Sequence, residues 1–203
     1  ATTDDFADAM AQAGQIDLAQ FKRWYEQPGT PKVQVAESYA DGRLTLNITQ
    51  APADLPNAQQ QQPFHMPLAM GFLAPDGASL TLSDADVEST ATTSLRDDGQ
   101  TLLLGAKEST TELTISNLHA KPVVSFLRGF SAPVKVSHQR DAEELAFLVQ
   151  HDTDGFVRWD AMQTLWMSHL DASAVTTVDP VAVLGGLVKL SLIHISEPTR
   201  RTI

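Results

Sequence analysis

Lys32-Val33-Gln34-Val35-Ala36-Glu37-Ser38-Tyr39-Ala40-Asp41-Gly42-Arg43-Leu44-Thr45-Leu46-Asn47-Ile48 reads as two strands joined by a tight turn. Leu44, Leu46 and Ile48 alternate with polar residues, which in extended backbone places them on one face. Val33, Val35 and Tyr39 form a matching face, interrupted by Glu37. Asp41-Gly42 between the runs is a two-residue hairpin signal, because both positions tolerate positive φ.

The same texture extends over about 32–138. Further strands are expected at 66–73, 79–83, 101–105, 110–116, 122–129 and 132–138, separated by turn-forming stretches such as Ala74-Pro75-Asp76-Gly77 and Asp97-Asp98-Gly99. Pro56 to Pro63, with its glutamines, reads as a polar surface loop. Seven or eight short strands with no long helical pattern between them are the signature of an antiparallel β-sandwich, and argue against a parallel sheet with crossover helices.

Helical periodicity flanks this block. Before it, Phe6, Met10 and Ala13, then Phe21, Trp24 and Tyr25, recur every three or four residues, with Thr3 or Asp4 as a first N-cap and Asp17 as a second ahead of Leu18. Pro28-Gly29-Thr30-Pro31 ends any helix there. After it, Leu145, Leu148 and Val149 make one stripe and Phe156, Trp159, Met162, Leu165 and Trp166 another, with Asp154 as N-cap. A third apolar stretch runs from Pro180 to Leu190. Successive helices with short connections suggest the start of a helical array that needs further packing partners. Apolar patches and a tendency to aggregate are expected of the two helical flanks.

The 203 residues suffice for one large domain or two small ones. Fourteen Lys and Arg against 25 Asp and Glu give a formal net charge of −11, and the basic residues are scattered. No nucleic acid partner and no anionic-lipid surface is expected of such a chain. No cysteine is present, so disulfide, thiolate and cysteine–zinc chemistry are excluded. No apolar run is long enough for a membrane span, and no secretion signal opens the chain, so a cytoplasmic location is expected. The opening Ala1-Thr2-Thr3, without Met, suggests a piece of something longer.

No residue set points to chemistry. The histidines His65, His119, His138, His151, His169 and His194 are widely spaced, and no H-E-x-x-H occurs. His194 and Glu197 lie in a tail, 190–203, whose texture differs from the rest. Asp152-Thr153-Asp154-Gly155 has its glycine fourth where a calcium loop needs it sixth, and Gln163 at the twelfth position where the loop needs Glu, and reads as a helix cap. Gly77-Ala78-Ser79 lacks the second glycine of a nucleophile elbow. Asn47-Ile48-Thr49 is a formal sequon inside a strand. Phe21, Trp24, Tyr25, Trp159 and Trp166 read as core, and Asp84, Asp86, Glu88, Asp97 and Asp98 as solvated turn residues. Catalytic, cofactor-binding and metal-binding residues are therefore expected to number none.

Three segments in order carry a family resemblance: Asp4-Asp5-Phe6 through Phe21-Lys22-Arg23-Trp24-Tyr25 to Gly29-Thr30-Pro31; Phe130-Ser131-Ala132-Pro133-Val134-Lys135-Val136; and Leu145-Ala146-Phe147-Leu148 with His151, Phe156, Arg158-Trp159-Asp160-Ala161 and Gln163. Over about residues 1–170 the chain resembles the bacterial aminopeptidase N (alanyl aminopeptidase) group of zinc metallopeptidases. The resemblance implies an organisation: 1–30 as the last helices of a thermolysin-like catalytic domain, 31–139 as an immunoglobulin-like β-sandwich, and 140–189 as the start of a C-terminal α-superhelix. It implies a parent that uses zinc to remove N-terminal residues from peptides, with the zinc ligands preceding Ala1. This piece is then an inactive structural linker that binds no cofactor and packs against the missing catalytic and helical domains. The other reading is a stand-alone immunoglobulin-like binding or adhesion module. The tail, 190–203, resembles a translated sequencing adapter, so the natural sequence is expected to end its match near Lys189.

Overall fold

The computed structural model describes residues 2–55, 61–96, 99–171 and 177–187. Among the described residues nine strands form two facing sheets, with helices before and after them. The strands are β1 (Lys32–Ala40), β2 (Arg43–Ala51), β3 (Met66–Leu73), β4 (Val87–Ser89), β5 (Thr92–Leu95), β6 (Leu102–Ala106), β7 (Thr110–Ile115), β8 (Val123–Phe126) and β9 (Lys135–His138). One sheet has the order β4-β7-β2-β1-β9 and the other β5-β6-β3-β8.

The hairpin forms as its turn residues dictate. Ala40 pairs with Arg43, and Asp41 and Gly42 adopt φ 50° and 72°, the doubly positive turn that matches strand twist. From that register Leu44, Leu46 and Ile48 all turn inward and are essentially fully buried, as are Val33 and Val35. They meet Leu68, Met70 and Phe72 of β3 and Leu102 and Leu104 of β6 from the opposite sheet. Each such burial contributes about 1.5–3 kcal/mol of hydrophobic stabilisation.

Several details depart from the sequence reading. Residues 79–83 are no strand: only a Ser79 bridge to Leu73 forms, and Leu82 N–H donates to Gly99 C=O, after which Ser83 begins a short 3-10 turn. Instead β4 and β5 appear, three and four residues long and too polar to show alternation. The segment 122–129 shortens to Val123–Phe126 because Leu127 turns left-handed at φ 64°. Strand β9 begins only at Lys135, after a tight Val134 N–H to Ala132 C=O turn. It joins β1 in parallel, the one parallel pairing among the described strands.

The flanks are helical. α1 (Thr3–Gly14) is capped by Thr2, one residue earlier than expected: the Thr2 hydroxyl accepts from Asp5 N–H and the Asp5 carboxylate accepts from Thr2 N–H. Asp17 accepts from Ala19 N–H, but the chain then runs through a series of turns into only the single-turn α2 (Arg23–Glu26). Core placement also fails for part of this flank. Trp24 packs against the sandwich, donates from Nε1 to His65 C=O, and stacks 4.5 Å from Phe64. Phe6, Met10, Ile16, Phe21 and Tyr25 remain exposed, and Ala7 is the one buried residue of α1. At the other end come α3 (Ala142–His151), α4 (Gly155–Leu170) and a helical turn region at 180–187. Asp154 caps α4 as read, accepting from Val157 N–H at 3.0 Å. Leu145, Leu148, Val157 and Leu165 form a second core that also takes in Leu73 of β3. Trp166 packs on it, whereas Trp159 is 57% exposed, contrary to its expected core position. Asp97, Asp98, most of Pro56–Pro63, His194, Glu197 and the tail from 190 lie outside the described residues.

Candidate functional site

The part of the molecule where buried charge and strained backbone gather is the joint between the sandwich and α3–α4. It is built from three places distant in sequence. Strand β3 contributes Gly71, in an otherwise apolar run. The segment after β8 contributes Arg128, held on an unusual backbone in which Leu127, Gly129 and Phe130 all have positive φ. For Leu and Phe that conformation costs roughly 1–2 kcal/mol each, so surrounding contacts must impose it. The link between α3 and α4 contributes Asp152 and Asp154.

Arg128 is only 7% exposed and its guanidinium is satisfied on every side. Nε donates to Ser125 Oγ at 2.7 Å, Nη1 to Gln100 C=O and Thr101 Oγ1 at 3.3 Å, and Nη2 to Asp152 Oδ1 at 3.3 Å. Asp152 is 3% exposed, and its Oδ1 also accepts from Asp154 N–H at 2.9 Å. Asp154 uses one carboxylate oxygen to cap α4 and the other to accept from Gly129 N–H at 2.9 Å. One aspartate therefore ties the start of a helix to the loop that carries Arg128. Gly71 completes the clasp by absence: a Cβ there would lie 2.2 Å from Arg128 Cζ.

A second buried network lies beside it. Glu37, the residue that interrupts the β1 face, points inward with Val33 and Val35. It pairs with Lys121 at 2.5 Å and approaches His138 Nε2 at 3.4 Å. The His138 contact, then Lys121, holds its carboxyl down to about 2 against the opposing effect of burial. Arg140 Nε donates to His138 Nδ1 at 3.2 Å, which assigns the ring proton to Nε2, facing Glu37. Arg140 Nη2 also donates to Val124 C=O at 2.7 Å, and Nη1 stands 3.5 Å from Glu144 of α3. Burial lowers the His138 pKa and raises that of Glu144. Sequence reasoning singled out Glu37 only as a break in pattern and gave Arg128, Arg140 and Gly71 no role.

This arrangement ties the sandwich to the start of the α3–α4 pair. Gly77, Ala78 and Ser79 form part of a turn, with Gly77 N–H donating to Ala74 C=O. Asp86 is a capping residue bonded to Ser83 and Asn117, and Glu88 pairs with Arg43. Asp152 and Asp154 serve the clasp and cap rather than a cation loop. Among the described residues, no three His, Asp or Glu side chains stand together as metal ligands, and no helix is long and apolar enough to cross a membrane.

Comparison with known proteins places this architecture. Residues 29–139 match the family described as "Domain of unknown function (DUF3458) Ig-like fold", and 142–190 match its companion, described as "Domain of unknown function (DUF3458_C) ARM repeats". The chain belongs to the DUF3458 Ig-like family. Its sandwich is thus an immunoglobulin-like domain followed by a helical, ARM-repeat region. Among curated proteins this DUF3458 member is 33% identical over 172 residues to Aminopeptidase N of Escherichia coli (84% of this chain, 18% of that protein). It is 36% identical over 166 residues to Aminopeptidase N of Caulobacter vibrioides (81% and 17%) and 30% identical over 179 residues to that of Haemophilus influenzae (86% and 19%). The chain therefore spans under a fifth of the length of these relatives. Among solved structures, the crystal structure of Legionella pneumophila aminopeptidase A in complex with aspartic acid shares the fold, with TM-score 0.71 and 23% identity over 93% of this chain and 20% of that one.

Proposed function

We propose that this chain is the sandwich-and-joint section of a cytoplasmic, zinc-dependent aminopeptidase N that removes N-terminal residues from peptides, and that the section itself performs no catalysis. The observation that carries the reading is the likeness to proteins named Aminopeptidase N, which runs through both the sandwich and the first helices. The clasp gives that section a physical role, because it sets the angle at which the helical region leaves the sandwich. In the parent, the superhelix held in this way covers the chamber in which peptide substrates bind.

Zinc does not fit the residues present. Apart from the lack of a clustered donor set among the described residues, the most buried imidazole, His138, has Nδ1 taken by Arg140 and Nε2 turned toward Glu37 at 3.4 Å, with no second donor side chain set to share a metal. A zinc site needs about three or four such donors converging on one point. Zinc chemistry therefore belongs to the catalytic part of the parent. A free-standing binding module is disfavoured because more than four-fifths of the chain aligns inside much longer peptidases.

The test is a pair of assays. The chain alone, with added zinc and an alanyl-anilide, should release no product above the metal blank. A chimera of the Escherichia coli enzyme carrying this chain in place of its matching segment should retain anilide hydrolysis. Zinc-dependent turnover by the chain alone, or a folded chimera without activity, contradicts the proposal.

A further inference from the structure

We propose that protonation of His138 is an acid-operated latch: it releases the link between β9 and α3 from both sheets, while the Arg128–Asp152 clasp still holds α4 to the sandwich. Arg140, in that link, closes the latch. Its Nε and Nη2 stand 3.2 and 2.9 Å from His138 Nδ1, on the last strand of one sheet. Its Nη2 also donates to Val124 C=O, on the last strand of the other. Its Nη1 stands 3.5 Å from Glu144 in the first turn of α3. One side chain thus fastens β9, β8 and α3 together. A guanidinium carries donors and no acceptor, so the bond to His138 depends on the Nδ1 lone pair. Protonation fills that lone pair with a further N–H donor and sets a second positive charge against the first.

While the latch is shut the two cations have no room to separate. The His138 side chain is 4% exposed and that of Arg140 9%, and Phe126 lies edge-on to the imidazole at 6.3 Å. Charges reach the site from every element around it. Glu37 of β1 favours the imidazolium from 3.4 Å, but its other oxygen already pairs with Lys121 at 2.5 Å, and Lys121 opposes the ring proton. Glu144 of α3, Asp160 of α4 and Asp152 act on Arg140, and Asp141 on Lys121. Lys135, on β9 itself, lines the adjoining cleft. Burial first, then Arg140 and Lys121, outweigh Glu37 and hold the imidazole below its ordinary value. Opening therefore takes up a proton, so the latch stays shut at neutral pH and opens increasingly below about pH 6.5, where a free imidazole charges. The far end of the joint does not depend on this proton, because α4 is held through Asp152 and Asp154 and the second core packs on Leu73. This inference stands independently of the peptidase reading.

The experiment is amide hydrogen exchange of the full chain by NMR, at about pH 7.5 and about pH 5.5, corrected for the intrinsic pH dependence of exchange. The probes are Lys135 N–H, which donates to Pro31 C=O, and Leu145 N–H, which donates to Asp141 C=O. Their protection should fall several-fold between the two conditions, up to about tenfold, the limit for one proton taken up by a free imidazole over that range. The Leu46 amide, in the sandwich core, should stay more protected than either at both pH values. His138→Asn, whose Oδ1 offers Arg140 an acceptor that does not titrate, should abolish the fall. Glu144→Gln, which removes the other titrating partner of Arg140, should leave it in place. If His138→Asn unfolds, the Arg140 Nε–H resonance of the unaltered chain decides, since it must enter fast exchange with solvent as the His138 ring titrates. Protection indifferent to pH, or a fall retained in His138→Asn, overturns the proposal. So does equal protection at Leu46 and Leu145, which would make the opening global, or an Arg140 Nε–H signal that persists once the ring is charged.

Discussion

Replacing Gly71 by alanine places a methyl carbon 2.2 Å from Arg128 Cζ, 2.5 Å from Nη2 and 2.6 Å from Nε. None of these is the free end of a mobile side chain, because the guanidinium is pinned by Ser125, Gln100, Thr101 and Asp152. Arg128 must leave, and Asp152 is then a buried carboxylate without its cation, one oxygen of which already lacks a hydrogen-bond partner. Removing one member of a buried pair costs about 3–5 kcal/mol, and local overpacking alone costs about 1–3 kcal/mol. A loss of about 3–5 kcal/mol is expected for G71A, which for a domain of ordinary stability approaches the whole margin. Urea unfolding followed by circular dichroism and tryptophan fluorescence measures it. The same logic makes Arg128→Met nearly as costly, while Arg128→Met combined with Asp152→Leu recovers much of the loss, because no charge is left stranded. A G71A chain within about 0.5 kcal/mol of the parent, a change typical of surface sites, would refute the clasp.

Glu37 and Glu144 belong to one network but have opposite pKa shifts. The folded pKa of Glu37 is depressed, so its contribution is present above the ordinary glutamate range and is lost as pH falls from about 4.5 toward 2. Glu37→Gln should flatten that acid limb in melting temperature against pH. The Glu144 pKa is raised by burial, so ionised Glu144 opposes folding at neutral pH, and Glu144→Gln should leave the melting temperature at pH 7 unchanged or higher. The buried, neutral His138 adds a loss of stability as pH falls below about 6.5, the unfolded value, and His138→Gln should remove it in the same titration. Gly42→Ala places a Cβ 2.9 Å from Leu118 C=O at φ 72°, for a loss of about 1–2 kcal/mol in urea unfolding. Leu46→Ala, in the centre of the sandwich core, should cost about 2–5 kcal/mol by the same measurement.

What could be read in the sequence was local. The alternation of Leu44, Leu46 and Ile48, the Asp41-Gly42 turn and the Asp154 cap each depend on residues a few positions apart, and all three form as read. β4 and β5 gave no signal because Val87-Glu88-Ser89 and Thr92–Leu95 are too short and polar to show a period, and depend on pairing with β7 and β6. The joint was illegible for a related reason. Arg128 meets Asp152 across 24 positions, and the contact exists only after two bodies dock. One signal pointed to it: an isolated glycine in the apolar strand 66–73 commonly marks close approach of another group. Glu37 gave a second, since a charge on an inward face requires a partner. The exposed rings of Phe21, Tyr25 and Trp159 show the converse, because helical spacing identifies an apolar stripe and not what covers it.

Whether this chain is a structural section of a longer zinc aminopeptidase is decided by long-read sequencing of the source DNA on both sides of the reading frame. The expected result is an in-frame H-E-x-x-H with a following Glu upstream of the Ala1 codon, and further helical repeats in place of 190–203. A start codon immediately before Ala1, with no zinc motif upstream and residues 190–203 confirmed, would contradict it.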